Sequence, residues 1–243
     1  MGDIAVKVEN LSMMFNVSQE KVDNIKEYII KMLKHELMFH EFWALRDVSF
    51  ELEKGDSLGI VGLNGSGKST LLKVIAGVLK PTKGRVTTVG SIAPLIELGA
   101  GFDEDLSAEE NILLNGSILG YSKSYMMSRY EDIIHFAELE GFTNTALKNF
   151  SSGMKARLGF AIATMNIPDI LILDEVLAVG DFKFQEKSLA RTKEIIGAGT
   201  TVLFVSHSIE QVRKMCNKVL WLDHGQTVMF GNAEEVCSAY SNI

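Results

Sequence analysis

Cysteine is scarce in this chain of 243 residues: Cys216 and Cys237 are the only two, and no CxxC pair occurs. A disulfide framework is excluded, a zinc site has no support, and two reduced, partly buried thiols are the plain reading. Long apolar runs are missing too. No charge-free stretch is long enough to cross a bilayer, and the opening MGDIAVKVEN lacks the apolar core of a signal peptide. A soluble chain is therefore expected, with any membrane work done through a partner. Positive charge is in deficit: 24 Lys and Arg stand against 31 Asp and Glu, a net charge of −7. That weighs against broad nucleic-acid binding. Internal repeats, low-complexity tracts and linkers are also lacking. The rest is ordinary for a globular protein, with 47% hydrophobic and 23% charged residues.

Along the chain, IAVKVENLSMMF alternates with period two, as a strand does. From about residue 17 to 42, Val22, Ile25, Ile29, Met32, Leu33 and Leu37 recur at helical spacing among charged residues, which predicts an amphipathic helix. ALRDVSFELEKGDSLGIVG reads as two strands around a turn. TLLKVIAGVLK has helical periodicity, and GRVTTVGSIAPLIELGAGF is a β-rich stretch broken by glycines. From Ser107 to Phe142 the pattern is helical, with turn signals at Gly116, Gly120 and Gly141, and Gly153 to Met165 reads as a further helix. Asp169 to Leu173, ILIL included, and TTVLFVSH from Thr200 read as buried strands, apolar on consecutive positions as parallel strands covered on both faces are. KVLWLDHGQTVMFG reads as a terminal hairpin. Strands alternating with helices predict an α/β fold, in one domain over 1–243, with 105–165 an inserted helical subdomain.

Gly62, Leu63, Asn64, Gly65, Ser66, Gly67, Lys68 and Ser69 fit G-x-x-x-x-G-K-[ST] in full, after an apolar strand and before a helix. The glycines permit backbone shapes that side chains forbid. Backbone N–H groups then turn inward at a helix N-terminus and cradle phosphate oxygens. Lys68 is placed to reach the β- and γ-phosphates, Ser69 to bind Mg²⁺, and Thr70 to meet the α-phosphate. The ILILDE run delivers Asp174 and Glu175 to the end of a buried strand, where open α/β sheets place their ligands. Asp174 suits Mg²⁺ held through water. Glu175 suits polarisation of an attacking water. His207 ends the next apolar strand, expected beside that of Asp174, from which its imidazole reaches a γ-phosphate.

These motifs, in this order, resemble the ATP-binding subunits of ABC transporters over nearly the whole chain. The resemblance implies a mixed sheet core, an antiparallel β-subdomain and an inserted helical subdomain. It also makes Phe150-Ser151-Ser152-Gly153-Met154 the counterpart of the family's LSGGQ, with Ser152 in place of a glycine and Met154 in place of the glutamine. By the same resemblance Phe15 matches the aromatic that stacks on adenine, and Asp181 the aspartate between two nucleotide sites. Glu97 stands where the family has a glutamine touching Mg²⁺ and the membrane partner. ELGAGF, NILLNGSILG, SSGM, LAVGD and VSHS look like the branch that exports lipid-linked polysaccharides: O-antigens, teichoic acids, capsules and rhamnose-containing glycans.

What the resemblance implies is an ATPase using ATP and Mg²⁺, paired head to tail as a homodimer. It would sit on the cytoplasmic face of the membrane against polytopic permease subunits, with the 17–42 insertion against that partner. Many members add a C-terminal sugar-binding domain. The residues up to Ile243 leave no room for one, which implies glycan selection elsewhere or a domain removed. A drug, lipid or antibiotic exporter subunit is the alternative within the family. A soluble ABC ATPase acting on nucleic acid or the ribosome is the alternative outside transport. A P-loop kinase is disfavoured, because a kinase has no use for Ser151 and Asp181.

Overall fold

The computed structural model describes residues 3–18, 39–96, 98–99, 101–174, 180–206 and 208–242. Strand β1 (Ile4–Ser18) pairs antiparallel with β2 (Phe39–Glu53). The ladder runs to its far end, where Val17 faces His40 and Ser18 faces Phe39. Both ends of the expected 17–42 helix are therefore strand, and its remainder, residues 19–38, lies outside the described residues. Two residues at one edge of a helical pattern and four at the other cannot be told from strand by period alone, and here β1 and β2 supply each other's hydrogen-bonding partners.

Strand β3 (Ser57–Val61) follows β2 after a short turn but does not pair with it. It lies inside a second sheet, next to α1 (Lys68–Ile75), which the 62–67 loop feeds. Strand β4 (Lys83–Thr88) joins the first sheet, whose order is β2-β1-β4. The second sheet is completed by β5 (Ile92–Pro94), β6 (Ile170–Leu173), β7 (Thr201–Val205), β8 (Lys218–Asp223) and β9 (Gln226–Asn232). Its order is β5-β6-β7-β3-β8-β9, parallel except for the last pair.

The apolar runs explain the layers, because alternate residues of a strand face opposite sides. Ile170, Ile172, Leu203 and Leu220 pack with β1, β2 and α1 into one core. Leu171, Leu173, Val202 and Val219 face the other way, against Phe184 and Ile195 of α5 (Phe182–Gly197), Val212 of α6 (Ile209–Met215) and Val236 of α7 (Ala233–Tyr240). Helix α7 follows the hairpin that the sequence made terminal.

Between β5 and β6 the chain builds α2 (Ala108–Ile118), α3 (Lys123–Ala137) and α4 (Ser152–Ala163) around a core of their own, with Ile112, Met126, Ile134 and Leu158 inside. Helix α2 starts on a capping box: the Ser107 hydroxyl accepts from the Glu110 N–H, and the Glu110 carboxylate accepts from the Ser107 N–H. Gly116, read from sequence as a turn signal, is inside α2. A Cβ there would stand 2.3 Å from the Met126 side chain, so the glycine serves close helix packing. Glu138, at the end of α3, pairs with Arg157 of α4 at 3.5 Å and with Lys187 of α5 at 3.6 Å. Phe136, Phe160 and Phe184 stack and cross beside these pairs, so the three helices meet at one point.

Asp56 ties the sheet together where β3 begins. Its carboxylate accepts from the Lys218 ammonium at 2.7 Å, the Asn217 amide at 2.8 Å and the Glu53 N–H at 2.8 Å. Its carbonyl accepts from Val202 N–H, and Asn217 accepts in turn from Ser57 N–H. Burial by itself pushes the Asp56 carboxyl up. The Lys218 and Asn217 hydrogen bonds outweigh it and hold the group below its ordinary value. A depressed folded value means stabilisation present above the ordinary carboxylate range and lost as pH falls through the folded value. Asp56→Ala is expected to cost about 1–3 kcal/mol in urea unfolding at neutral pH. The difference from wild type should shrink steadily as the solution is acidified below the ordinary carboxylate range.

Candidate active site

The 62–70 loop leaves the carboxyl end of β3 and turns into α1. Gly62, Gly65 and Gly67 all have positive φ, at 149°, 81° and 102°. At two of them a side chain has no room. A Cβ on Gly62 would stand 2.2 Å from the Leu222 carbonyl oxygen, and one on Gly67 would stand 2.5 Å from that of Ala44. Lys68, nearly buried, donates from Nζ to the carbonyls of Gly62 at 2.8 Å and Leu63 at 2.9 Å. Its ammonium is thus seated at the loop itself. The buried Ser66 hydroxyl has no hydrogen-bond partner among the described residues. Such a group is costly until an acceptor or donor reaches it.

Beside this loop is an open cavity of about 460 Å³. Asn64, Gly65, Lys68, Ser69 and Thr70 form its loop side, and Asp174 comes from the end of β6. The exposed Ser69 hydroxyl and the Asp174 carboxylate are oxygen donors in one cavity, a donor set that fits a hard divalent cation such as Mg²⁺. Backbone N–H groups at the start of α1 and a lysine ammonium fit phosphate oxygens. Strand β7 pairs with β6, and Val205 at its end lines the same cavity as Asp174.

Glu97, Glu175 and His207 lie outside the described residues. Ser151 caps α4: its hydroxyl accepts from the Met154 N–H at 3.2 Å. Ser151 and Ser152 are exposed, Gly153 and Met154 half-buried, and none of the four lines the cavity beside the 62–70 loop. Asp181 caps α5, accepting from the Phe184 N–H at 3.0 Å, and is exposed. Within one chain, then, neither residues 151–154 nor Asp181 lines the cavity beside the phosphate loop. In α4, Gly159 has a backbone reason to be glycine, since a Cβ would meet the Gly99 nitrogen at 2.7 Å.

Phe15 is half-buried and packs against the first core. The aromatic that lines the cavity is Phe42, its Cα partner on β2, which is 50% exposed. Sequence reading missed Phe42 because the periodicity of 17–42 enclosed it in a helix. It also missed Ala44 and the hairpin turn that brace the loop; the GLNGSGKST pattern carries no signal of what backs it.

A family model described as "ABC transporter" matches residues 45–178, more than half of the chain. The chain belongs to the ABC transporter family. It is an ABC ATPase subunit, with the phosphate loop, the strand-end Asp174 and the capped α4 in that family's order. It is 44% identical over 200 residues to the O-antigen export system ATP-binding protein RfbB of Klebsiella pneumoniae, covering 82% of this chain and 81% of that protein. It is 41% identical over 241 residues to the teichoic acids export ATP-binding protein TagH of Listeria monocytogenes, covering 99% of this chain and 71% of that one. Among solved structures, an ATP-binding subunit of an ABC transporter superposes with a TM-score of 0.71 at 22% identity, over 98% of this chain and 93% of that one. A dimeric ATP-binding cassette in a post-hydrolysis state with ADP and Pi gives 0.69 at 24% identity, over 94% and 98%. Both structures speak to the fold, a mixed sheet with an antiparallel sheet and a helical insertion.

An aromatic stacked on a base contributes about 1–3 kcal/mol. Phe42→Ala is therefore expected to weaken ATP binding by roughly five- to a hundredfold, while Phe15→Ala lowers the melting temperature with little change in affinity. Titration with a fluorescent ATP analogue, beside thermal melts, separates the two.

Proposed function

We propose that this chain is the ATP-hydrolysing subunit of an exporter that carries a lipid-linked cell-surface polysaccharide across the cytoplasmic membrane. The observation that carries this reading is the split site. Lys68, Ser69 and Asp174 share one cavity, whereas the capped α4 terminus at Ser151 is exposed and does not line it. The kinship to O-antigen and teichoic acid export proteins supplies the substrate class.

In this reading two copies pair head to tail. The 62–70 loop of one copy orients the phosphates, with Lys68 neutralising the β- and γ-oxygens. Ser151 and Gly153 of the other copy close over them through a helix N-terminus. Phe42 holds the base in place. Ser69 and Asp174 hold Mg²⁺, which neutralises charge on the phosphates when bound. Glu175 accepts hydrogen bonds from the attacking water, and His207 orients it. Asp181, beside the dimer seam, joins the two sites. Glu97 is assigned to the contact between cation and permease. ATP prefers the closed pair, so binding closes the dimer and hydrolysis reopens it.

Permease coupling has support in the surface. Among the described residues, no helix is long and apolar enough to cross a membrane. An apolar groove of about 340 Å³ runs between the end of α1 and α2, with Val78 50% and Ile118 63% exposed at its rim. Its floor includes Leu98 and Gly99 and the flank of α4 at Gly159. We assign it to a cytoplasmic segment of the permease.

Two measurements test these assignments. Glu175→Gln should abolish steady-state ATP hydrolysis yet keep ATP affinity and accumulate a dimer by size-exclusion chromatography in ATP; undiminished turnover would remove Glu175 from the mechanism. The full-length protein, tagged and extracted from membranes in mild detergent, should bring down a polytopic membrane protein. Ile118→Asp should weaken that capture and leave ATP binding by the isolated chain unchanged.

A further inference from the structure

Gly225 sits at the tip of the β8–β9 hairpin, remote in sequence from the phosphate loop and unused by the mechanism above. Its φ is 76°, and His224 before it has φ 43°. Two successive positive values make the tight turn whose twist suits a hairpin. The turn does more than reverse the chain. Gly225 N–H donates to the Ser66 carbonyl at 3.0 Å, and its carbonyl accepts from Arg46 N–H at 2.8 Å. One glycine therefore bridges the phosphate loop and β2 through its backbone alone.

The fit around it is tight on every side. A Cβ on Gly225 would stand 2.5 Å from the Ala44 carbonyl oxygen and 3.1 Å from the Leu45 Cα. A Cβ on Gly67 would meet the same Ala44 oxygen at 2.5 Å and the Gly225 Cα at 3.6 Å. Leu222, just before the turn, presents its carbonyl to Gly62. Both ends of the phosphate loop therefore rest on the hairpin, and the backbone of β2 at Ala44 closes the third side. All the near atoms at Gly225 are backbone, which cannot swing away as a side chain does.

We infer that Gly225 is a positioning residue for the phosphate loop: by donating its own N–H to the loop's Ser66 carbonyl, the hairpin turn holds Ser66 and Gly67 in the shape that sets Gly67 and the start of α1 against the cavity where phosphate would bind. The inference rests on the nucleotide-binding reading of the 62–70 loop. A group that stabilises the binding shape is itself stabilised by the ligand to the same degree. The turn should therefore tighten when ATP binds.

The test uses the whole chain. Gly225→Ala should raise the Kd for ATP at least about tenfold. Gly199→Ala is the control, since Gly199 also has positive φ, at 87°, but nothing lies within 4 Å of its Cβ position. It carries the same backbone penalty and should keep wild-type affinity. In the wild type, ATP should slow amide hydrogen exchange at Gly225 by about tenfold or more, a readout that does not depend on any variant folding. The inference is overturned if folded Gly225→Ala binds ATP as the wild type does, or if exchange at Gly225 is indifferent to ATP. Failure of the wild type to bind ATP would instead remove the reading beneath it.

Discussion

The tightest constraint in this protein is a place where side chains are forbidden. The phosphate loop passes between the backbone of β2 at Ala44 and the backbone of the β8–β9 hairpin, at distances that leave no space for a Cβ at Gly62, Gly67 or Gly225. Close backbone contact has a functional logic. N–H groups aimed at a ligand stabilise charge only if they need not reorganise when it arrives. A loop wedged by main chain is held without rotamers to lose. The same contact fixes the relation of the two sheets, because β2 belongs to one and β8 and β9 to the other.

From that wedge the rest of the architecture follows in two directions. The parallel strands β3, β6 and β7 end side by side, which brings Asp174 to the phosphate loop. The helices inserted between β5 and β6 carry Ser151 elsewhere. They are not loosely attached: Glu138 binds both Arg157 and Lys187, and three phenylalanines fill the angle between α3, α4 and α5. Ser151 on α4 and Asp181 on α5 are consequently held by one knot, although they cap different helices. The two caps thus keep a common frame.

Local patterns in the sequence were strongest where the physics is local. The 62–69 motif, the buried runs at 170–173 and 201–205 and the 218–232 hairpin each encode their structure over a few residues, and all are found where read. Contacts between distant segments were not legible. Nothing in ALRDVSFELEKGDSLGIVG tells that β2 and β3 part into different sheets. Phe15 and Phe42 look alike as letters and pair across β1 and β2 on one face of the sheet, and only the lining of the cavity shows which of them reaches it. Gly116 and Gly225 illustrate the same limit. A glycine that ends a helix and one that admits a neighbour are identical in sequence, and the neighbour is supplied by the fold.

Gly159 has a consequence of this kind. Helix α4 leans on Gly99 through a contact that contains no side chain, on the floor of the apolar groove. Such a contact acts as a bearing and not as an adhesive: it resists compression but offers nothing to pull with. A push delivered at Gly99 would bear on the flank of α4, the helix that begins at the Ser151 cap, while withdrawal would leave the helix to return by its own packing. Force would pass through this protein more readily in one direction than in the other.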